Sequence, residues 1–167
     1  METPEISVVV LAYRSATTIT SFVDSLVESL EKEQLLWEIV LVGNYFEGVG
    51  DKTPEVVRGI SARDSRIKAV TVIKKGMMGW DMKSGLEAAT GRAIAVIDGD
   101  GQMPFEDVIH VYRKLRDEGL DLVKTYRTER GDGFYRKTIS TVYNIIFKIL
   151  FPGLNYRDIN SKQIGRA

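Results

Sequence analysis

The chain has 167 residues, enough for one domain with a proper core, and its 44% hydrophobic and 28% charged residues are ordinary for a soluble globular protein. Lys+Arg and Asp+Glu both number 23, so the formal net charge is zero and the global basic field that draws nucleic acid is absent. No cysteine is present, which excludes disulfides, thiol catalysis and cysteine-ligated zinc. A reducing, cytoplasmic location is the expectation. The N-terminus, METPEISVVV, has acids where a signal peptide has a basic flank. No stretch reaches the roughly 18–20 apolar residues of a membrane span.

Taken in chain order, apolar runs alternate with helical patterns. Ile6–Ala12 is a β-branched run. A helix is predicted over Ala16–Gln34, with Phe22, Leu26 and Leu30 at spacing four and Thr17 or Thr18 as cap. Trp37–Val42 is the second run, followed by a Gly/Asn loop. Pro54 suits a first helical turn. Ile67–Ile73 is the third run, Asp81–Thr90 a helix with Gly91 as its stop, and Arg92–Ile97 the fourth run. Pro104 opens the next helix, Gly119 closes it, and Leu120–Tyr126 is the fifth run. A strongly apolar helix occupies Phe134–Phe151, with Arg136 and Lys137 at its start, where cations oppose the helix dipole and hint at an anion. The last segment, NYRDINSKQIGRA, has no periodicity.

Runs without alternation, joined by helices, predict an α/β fold: a Rossmann-like, mostly parallel sheet flanked by helices. Such sheets bind ligands at the carboxyl ends of their strands. Tyr13–Arg14, Gly43–Asn44 and Asp98–Gln102 therefore fall along one edge.

The fourth run ends on Asp98-Gly99-Asp100-Gly101-Gln102. Two carboxylates one residue apart are costly unless neutralised, and Mg²⁺ or Mn²⁺ would do so while keeping positions for water and phosphates. Gln102 adds an amide oxygen, and Gly99 and Gly101 let the backbone turn tightly beside a phosphate. An EF-hand fails, because counting from Asp98 the sixth and twelfth positions are Met103 and Ile109, where Gly and Glu are needed. A P-loop fails because Met82 precedes Lys83-Ser84. A plain Asp/Gly turn remains a competing reading.

The order of motifs resembles the family 2 glycosyltransferases of the GT-A fold, with the polyprenyl-phosphate glycosyltransferases as the most similar subgroup. The matching positions are Leu11-Ala12-Tyr13-Arg14-Ser15 after the first strand, Asp98 to Gln102, Arg127 after the fifth, Arg136 and Ser140 with Asn144 on the apolar helix, and Asp158-Ile159-Asn160-Ser161. The resemblance spans about Ile6 to Ser161. It implies an inverting transfer of a sugar from a UDP- or GDP-type nucleotide to a polyprenyl phosphate. Asp98, Asp100, Arg127 and Arg136 would be catalytic; Ala12, Tyr13, Asn44, Asp98, Gly99 and Asp100 would bind the donor; Asp98, Asp100 and Gln102 would hold the metal. Arg127, Arg136 and Ser140 would hold the acceptor phosphate by forked hydrogen bonds. A phosphate nucleophile needs positioning more than a base; a hydroxyl acceptor would need one, and Asp158 is the candidate.

The departures from the family are specific. Gly43-Asn44 stands where the family has Asp-Asp, and Arg14-Ser15 where it has Asn-Glu, so the base pocket is altered. Catalytic domains of the family continue past Ser161. Residues 1–167 are therefore read as a single, C-terminally truncated catalytic domain, or as one whose end, QIGRA, does not belong to the natural continuation. Its nucleotide-sugar half would be about 1–127 and the start of its acceptor region about 128–167.

Blander readings stand beside these. Arg127, Arg130 and Arg136 suit a solvated surface, and Ser140 suits a local turn. The stripe Ile139, Val142, Ile145, Ile146 and Ile149 reads as core or interface, with peripheral membrane-surface contact as the sharper alternative. Tyr13 either stacks on a base or covers the sheet edge. His110 reads as structural or exposed, and Asp81 and Lys83 as reaching the site from a helix start. Rival functions are a glycosyltransferase with a saccharide acceptor and a non-catalytic nucleotide-sugar-binding module. A sugar nucleotidyltransferase is disfavoured because AYRSATT lacks a Gly-rich basic loop.

Overall fold

A computed structural model of the chain describes residues 2–101, 103–125, 145 and 163–166. Two compact units divide it: residues 1–123 with 163–167, and residues 124–162. Of the second unit only Lys124, Thr125 and Ile145 are described, so the fold is that of the first.

The elements are β1 (Ile6–Leu11), α1 (Ile19–Lys32), β2 (Trp37–Val42), α2 (Thr53–Ser61), β3 (Ile67–Val70), α3 (Met78–Ala88), β4 (Ala93–Asp98), α4 (Glu106–Asp117), β5 (Leu122–Lys124) and β6 (Gln163–Arg166). The sheet has the order β3-β2-β1-β4-β6-β5, with β1, β2, β3 and β4 parallel and β6 antiparallel to β4. Every residue of β1 and β2 is buried, which is why those runs do not alternate.

The pleat still sorts the strands into two faces. Val8, Val10, Ile39, Leu41, Ala95 and Ile97 face a core completed by α1, α2 and α4. Val9, Leu11, Val40, Val42 and Val96 face a smaller core with Met82 and Ala88 of α3. On α1 the buried residues are Ile19, Phe22, Val23, Leu26 and Leu30, a 3.6-period stripe. α3 buries only Asp81 and Gly85. A Cβ on Gly85 would lie 2.4 Å from Val9 Cγ1 and 2.8 Å from Val42 Cγ2, so glycine is what lets this helix lie so close to the sheet.

Several expectations are corrected. The last segment has no periodicity, yet Gln163–Arg166 forms a strand inside the sheet, with Ile164 fully buried. Gly91 does not stop α3. The helix ends at Ala88 with Ala89 extended, and Gly91 N donates to Ser7 Oγ at 2.7 Å. A Cβ there would lie 2.6 Å from Ser7 N, so the glycine serves close packing on β1. The third run is shorter than expected, because Val72 N turns to Asn44 Oδ1 at 3.0 Å and Ile73 keeps only a bridge to Tyr45. α3 begins at Met78, three residues before the expected start, and α1 at Ile19 with Thr18 as a cap residue whose hydroxyl makes no capping bond. Of the apolar stripe expected on the Phe134–Phe151 helix only Ile145 is described; it is helical and 53% exposed. His110 is exposed, as one of its two readings had it.

At the amino-terminal edge of the sheet, Glu38 is buried among Ser7, Thr90 and Lys68. It accepts from Ser7 Oγ at 2.5 Å and Thr90 N at 2.5 Å and pairs with Lys68 Nζ at 2.6 Å. Burial pushes its carboxyl up, but the Lys68 ammonium, the Ser7 hydroxyl and the Thr90 donors outweigh this and hold it below the usual range. A hollow of about 700 Å³ lies beside this network, lined by Leu36, Trp37 and Arg66.

Candidate functional site

The opposite edge brings the expected residues together by register alone. β1 and β4 are paired with Leu11 against Asp98, so the carboxylate strand ends where the first loop begins. Gly99 N donates to Leu11 O at 2.8 Å, and a Cβ on Gly99 would meet Ile19 Cδ1 at 2.7 Å and Val10 Cγ1 at 2.9 Å. Gly99 therefore lets the Asp98–Asp100 turn lie flat against β1 and the start of α1. Gly101 has φ +75°, a left-handed conformation suited to glycine. Asp98 is half-buried and Asp100 exposed. A groove of about 470 Å³ runs beside Asp100, lined by Thr18, Ser21, Ser25 and Phe105.

The loop after β1 is tied to the loop after β2. Ala12 is fully buried and its N donates to Val42 O at 2.9 Å. Ser15 N donates to Thr53 Oγ1 at 3.0 Å, Thr53 Oγ1 donates to Asp51 Oδ1 at 2.6 Å, and Arg14 N donates to Asp51 Oδ2 at 3.3 Å. Arg14 has φ +55°, rare for a non-glycine residue and more often found where a loop is functionally constrained. Its guanidinium carbon lies 5.4 Å from the Tyr13 ring centroid. Tyr13 is 36% exposed and meets Phe46 edge to face, 6.2 Å between centroids.

Asn44 is 1% exposed, and its amide is engaged on both sides. Nδ2 donates to Asp81 Oδ1 at 3.0 Å and Ser84 Oγ at 2.8 Å, and Oδ1 accepts from Val72 N. Asp81 does reach this region from α3, as expected, but as a buried partner of Asn44 and Lys74. Lys83 does not; it is exposed and pairs with Glu87. Sequence reasoning missed Phe46, Asp51, Thr53 and Lys74. The Asp51-Lys52-Thr53 spacing was a legible turn signal, whereas Lys74 carried none.

Gln102, Arg127, Arg136, Ser140 and Asp158 lie outside the described residues. Among the described residues no group of three or more His, Cys, Asp or Glu could hold a metal, and no helix is long and apolar enough to cross a membrane.

The sequence profile described as Glycosyl transferase family 2 matches residues 7–164, from β1 to β6. The chain belongs to this family. As a family 2 glycosyltransferase chain it is 26% identical over 145 residues to the undecaprenyl-phosphate 4-deoxy-4-formamido-L-arabinose transferase of Salmonella choleraesuis, a match covering 86% of the chain and 43% of that protein. Its fold, GT-A, is shared with glucosyl-3-phosphoglycerate synthase of Mycobacterium tuberculosis crystallised with Mn²⁺, UDP-glucose and phosphoglyceric acid. That match has a TM-score of 0.66 and 23% identity, covering 98% of the chain and 57% of the synthase. Mannosyl-3-phosphoglycerate synthase of Rubrobacter xylanophilus superposes with a TM-score of 0.66 at 19% identity, covering 98% and 54%. The chain thus spans less than half of the curated relative and little more than half of the solved structures.

Proposed function

We propose that this chain is the donor-binding part of a metal-dependent, inverting glycosyltransferase that moves a sugar from a UDP- or GDP-type nucleotide to a polyprenyl phosphate. The observation that carries the reading is the pairing of Leu11 with Asp98, which sets the Asp98–Asp100 turn at the carboxyl edge of a GT-A sheet, where the loop carrying Tyr13 begins. Residues about 1–127 form the donor half in this reading, and about 128–167 begin the acceptor region.

The donor set fits Mg²⁺ or Mn²⁺. Such hard ions take one or two carboxylates and fill their remaining positions with water and substrate phosphates, so Asp98 and Asp100, with the Gln102 amide, suffice without a third acid. When bound, the ion would neutralise the departing diphosphate. Gly99 lets the turn that carries both carboxylates lie close to β1, and Tyr13 offers an exposed aromatic ring for the base. Asn44 acts by holding its loop, since its amide is already bonded to Asp81, Ser84 and Val72.

Arg127, Arg136 and Ser140 are proposed to hold the acceptor phosphate, a nucleophile already charged near neutral pH. Attack from the face opposite the leaving diphosphate inverts the anomeric centre. The name of the Salmonella relative supports a polyprenyl phosphate acceptor, and contact with a membrane surface follows from a lipid of that kind. With a sugar hydroxyl as acceptor, Asp158 would be the base.

A thermal-shift screen of UDP- and GDP-sugars with Mn²⁺ or Mg²⁺ tests the donor half. A metal-dependent rise in melting temperature is expected with one nucleotide class, followed by transfer of labelled sugar to undecaprenyl phosphate by the full-length protein. No shift with any donor would overturn the reading.

A further inference from the structure

A buried cation lies beneath the Tyr13 ring. The Lys74 side chain is 3% exposed and pairs with Asp81, itself 5% exposed. Lys74 N donates to Tyr45 O at 2.8 Å. Asp81 Oδ1 also accepts from Asn44 Nδ2, and Asn44 Oδ1 takes Val72 N, so one amide from the end of β2 ties the strand-to-helix loop to α3. The result aims Lys74 Nζ at two rings, 4.2 Å from the Tyr13 centroid and 5.5 Å from the Phe46 centroid.

Stability is a poor reason for this arrangement. Desolvating an ammonium and a carboxylate is costly, and an apolar pair of the same volume would pack the loop as well. A cation does what an apolar group cannot: it attracts the negative face of an aromatic ring and fixes the plane of that ring. Phe46 meets Tyr13 at 90° and closes a second side. Tyr13 still keeps 36% of its surface open at the edge where the donor is proposed to bind. A ring held in place before binding saves the entropy of ordering it afterwards.

We propose that Lys74, held by Asp81 and Asn44, is a positioning residue that fixes the Tyr13 ring as the stacking platform for the base of the donor nucleotide. This rests on the donor-site reading above. Lys74 is too buried to touch the base and acts through Tyr13.

The test substitutes the pair together, Lys74→Met with Asp81→Asn, which leaves no unpaired buried charge and keeps an amide oxygen for Asn44. The whole chain is titrated calorimetrically with UDP, GDP and inorganic pyrophosphate, each with Mn²⁺. The paired variant is expected to bind the preferred nucleotide about tenfold more weakly and pyrophosphate unchanged. Tyr13→Leu should lose nucleotide affinity similarly, and the paired change should add nothing in that background. Lys74→Arg, which keeps the cation, should stay within about twofold of wild type.

Unchanged nucleotide affinity in the paired variant overturns the proposal. So do a parallel loss for pyrophosphate, additive losses with Tyr13→Leu, and a loss in Lys74→Arg as large as in the paired variant. Should the paired variant fail to fold, the Tyr13→Leu and Lys74→Arg titrations decide by the same criteria. Wild-type protein that binds neither nucleotide more tightly than pyrophosphate would instead refute the base site itself, and this role with it.

Discussion

The two edges of the sheet are built from similar polar residues put to different use. At the amino-terminal edge Glu38 is surrounded by Ser7, Thr90 and Lys68, and its hydrogen bonds join β1, β2, β3 and the turn before β4. At the carboxyl edge the polar groups hold loops: Asp51 and Thr53 position Arg14 and Ser15, and Asn44 and Asp81 position Lys74 under an exposed tyrosine. The first edge spends its polar groups on joining strands. Left-handed residues and close-packed glycines occur at both edges, Gln34 and Gly91 at the first and Arg14 and Gly99 at the second, but only the second sets two carboxylates one residue apart on such a turn, which stability alone does not call for. The lesson is that burial by itself does not separate structural from functional polar groups; what they hold in place does.

That contrast can be broken or sharpened by substitution. The largest effect is expected at the carboxyl edge: Asp100→Ala should weaken Mn²⁺-dependent nucleotide binding by about 100-fold or more, from loss of a charged ligand, while the melting temperature stays near wild type. Calorimetry with and without metal checks it, and equal, metal-independent binding by variant and wild type would remove the metal assignment.

Next is Glu38→Gln, expected to cost about 2 kcal/mol at pH 7 by weakening buried charge-assisted bonds, with donor affinity unchanged. Its pH dependence follows from the lowered folded pKa. The contribution of Glu38 is fully present above its ordinary value of 4.5 and is lost as pH falls below that through the folded value. Urea unfolding of wild type and variant at pH 7 and pH 3 should show the difference shrinking at the acid end. A difference that grows on acidification would reverse the sign of the argument.

A comparable cost is expected for Gly85→Ala, about 1–3 kcal/mol for displacing Val9 and Val42. Because α3 also carries Asp81, this change should weaken nucleotide binding slightly, whereas Glu38→Gln should not. Equal effects on binding would erase the distinction between the edges.

Legibility differed by element. The runs at β1, β2 and β4 were readable because both faces of those strands are buried, so their apolar residues are continuous. β6 was not, since QIGR has one buried apolar residue, Ile164, and gains its place by lying between β4 and β5. Gly91 looked like a helix stop because glycine commonly is one; its actual constraint comes from Ser7, distant in sequence. Asp98 and Asp100 could be singled out because their spacing is local. Asn44 looked like a base-reading residue, and only its partners Val72, Asp81 and Ser84 show where its amide is spent.

By itself, then, the sequence determined the alternation of strands and helices, the carboxyl edge as the candidate site and the Asp98–Asp100 turn, because those depend on periodicity and short spacing. Tertiary structure alone decided the sixth strand, the closeness of α3 and the Lys74–Asp81 pair beneath Tyr13. Each of these depends on atoms brought into contact by the fold, and no local pattern along the chain encodes such a contact.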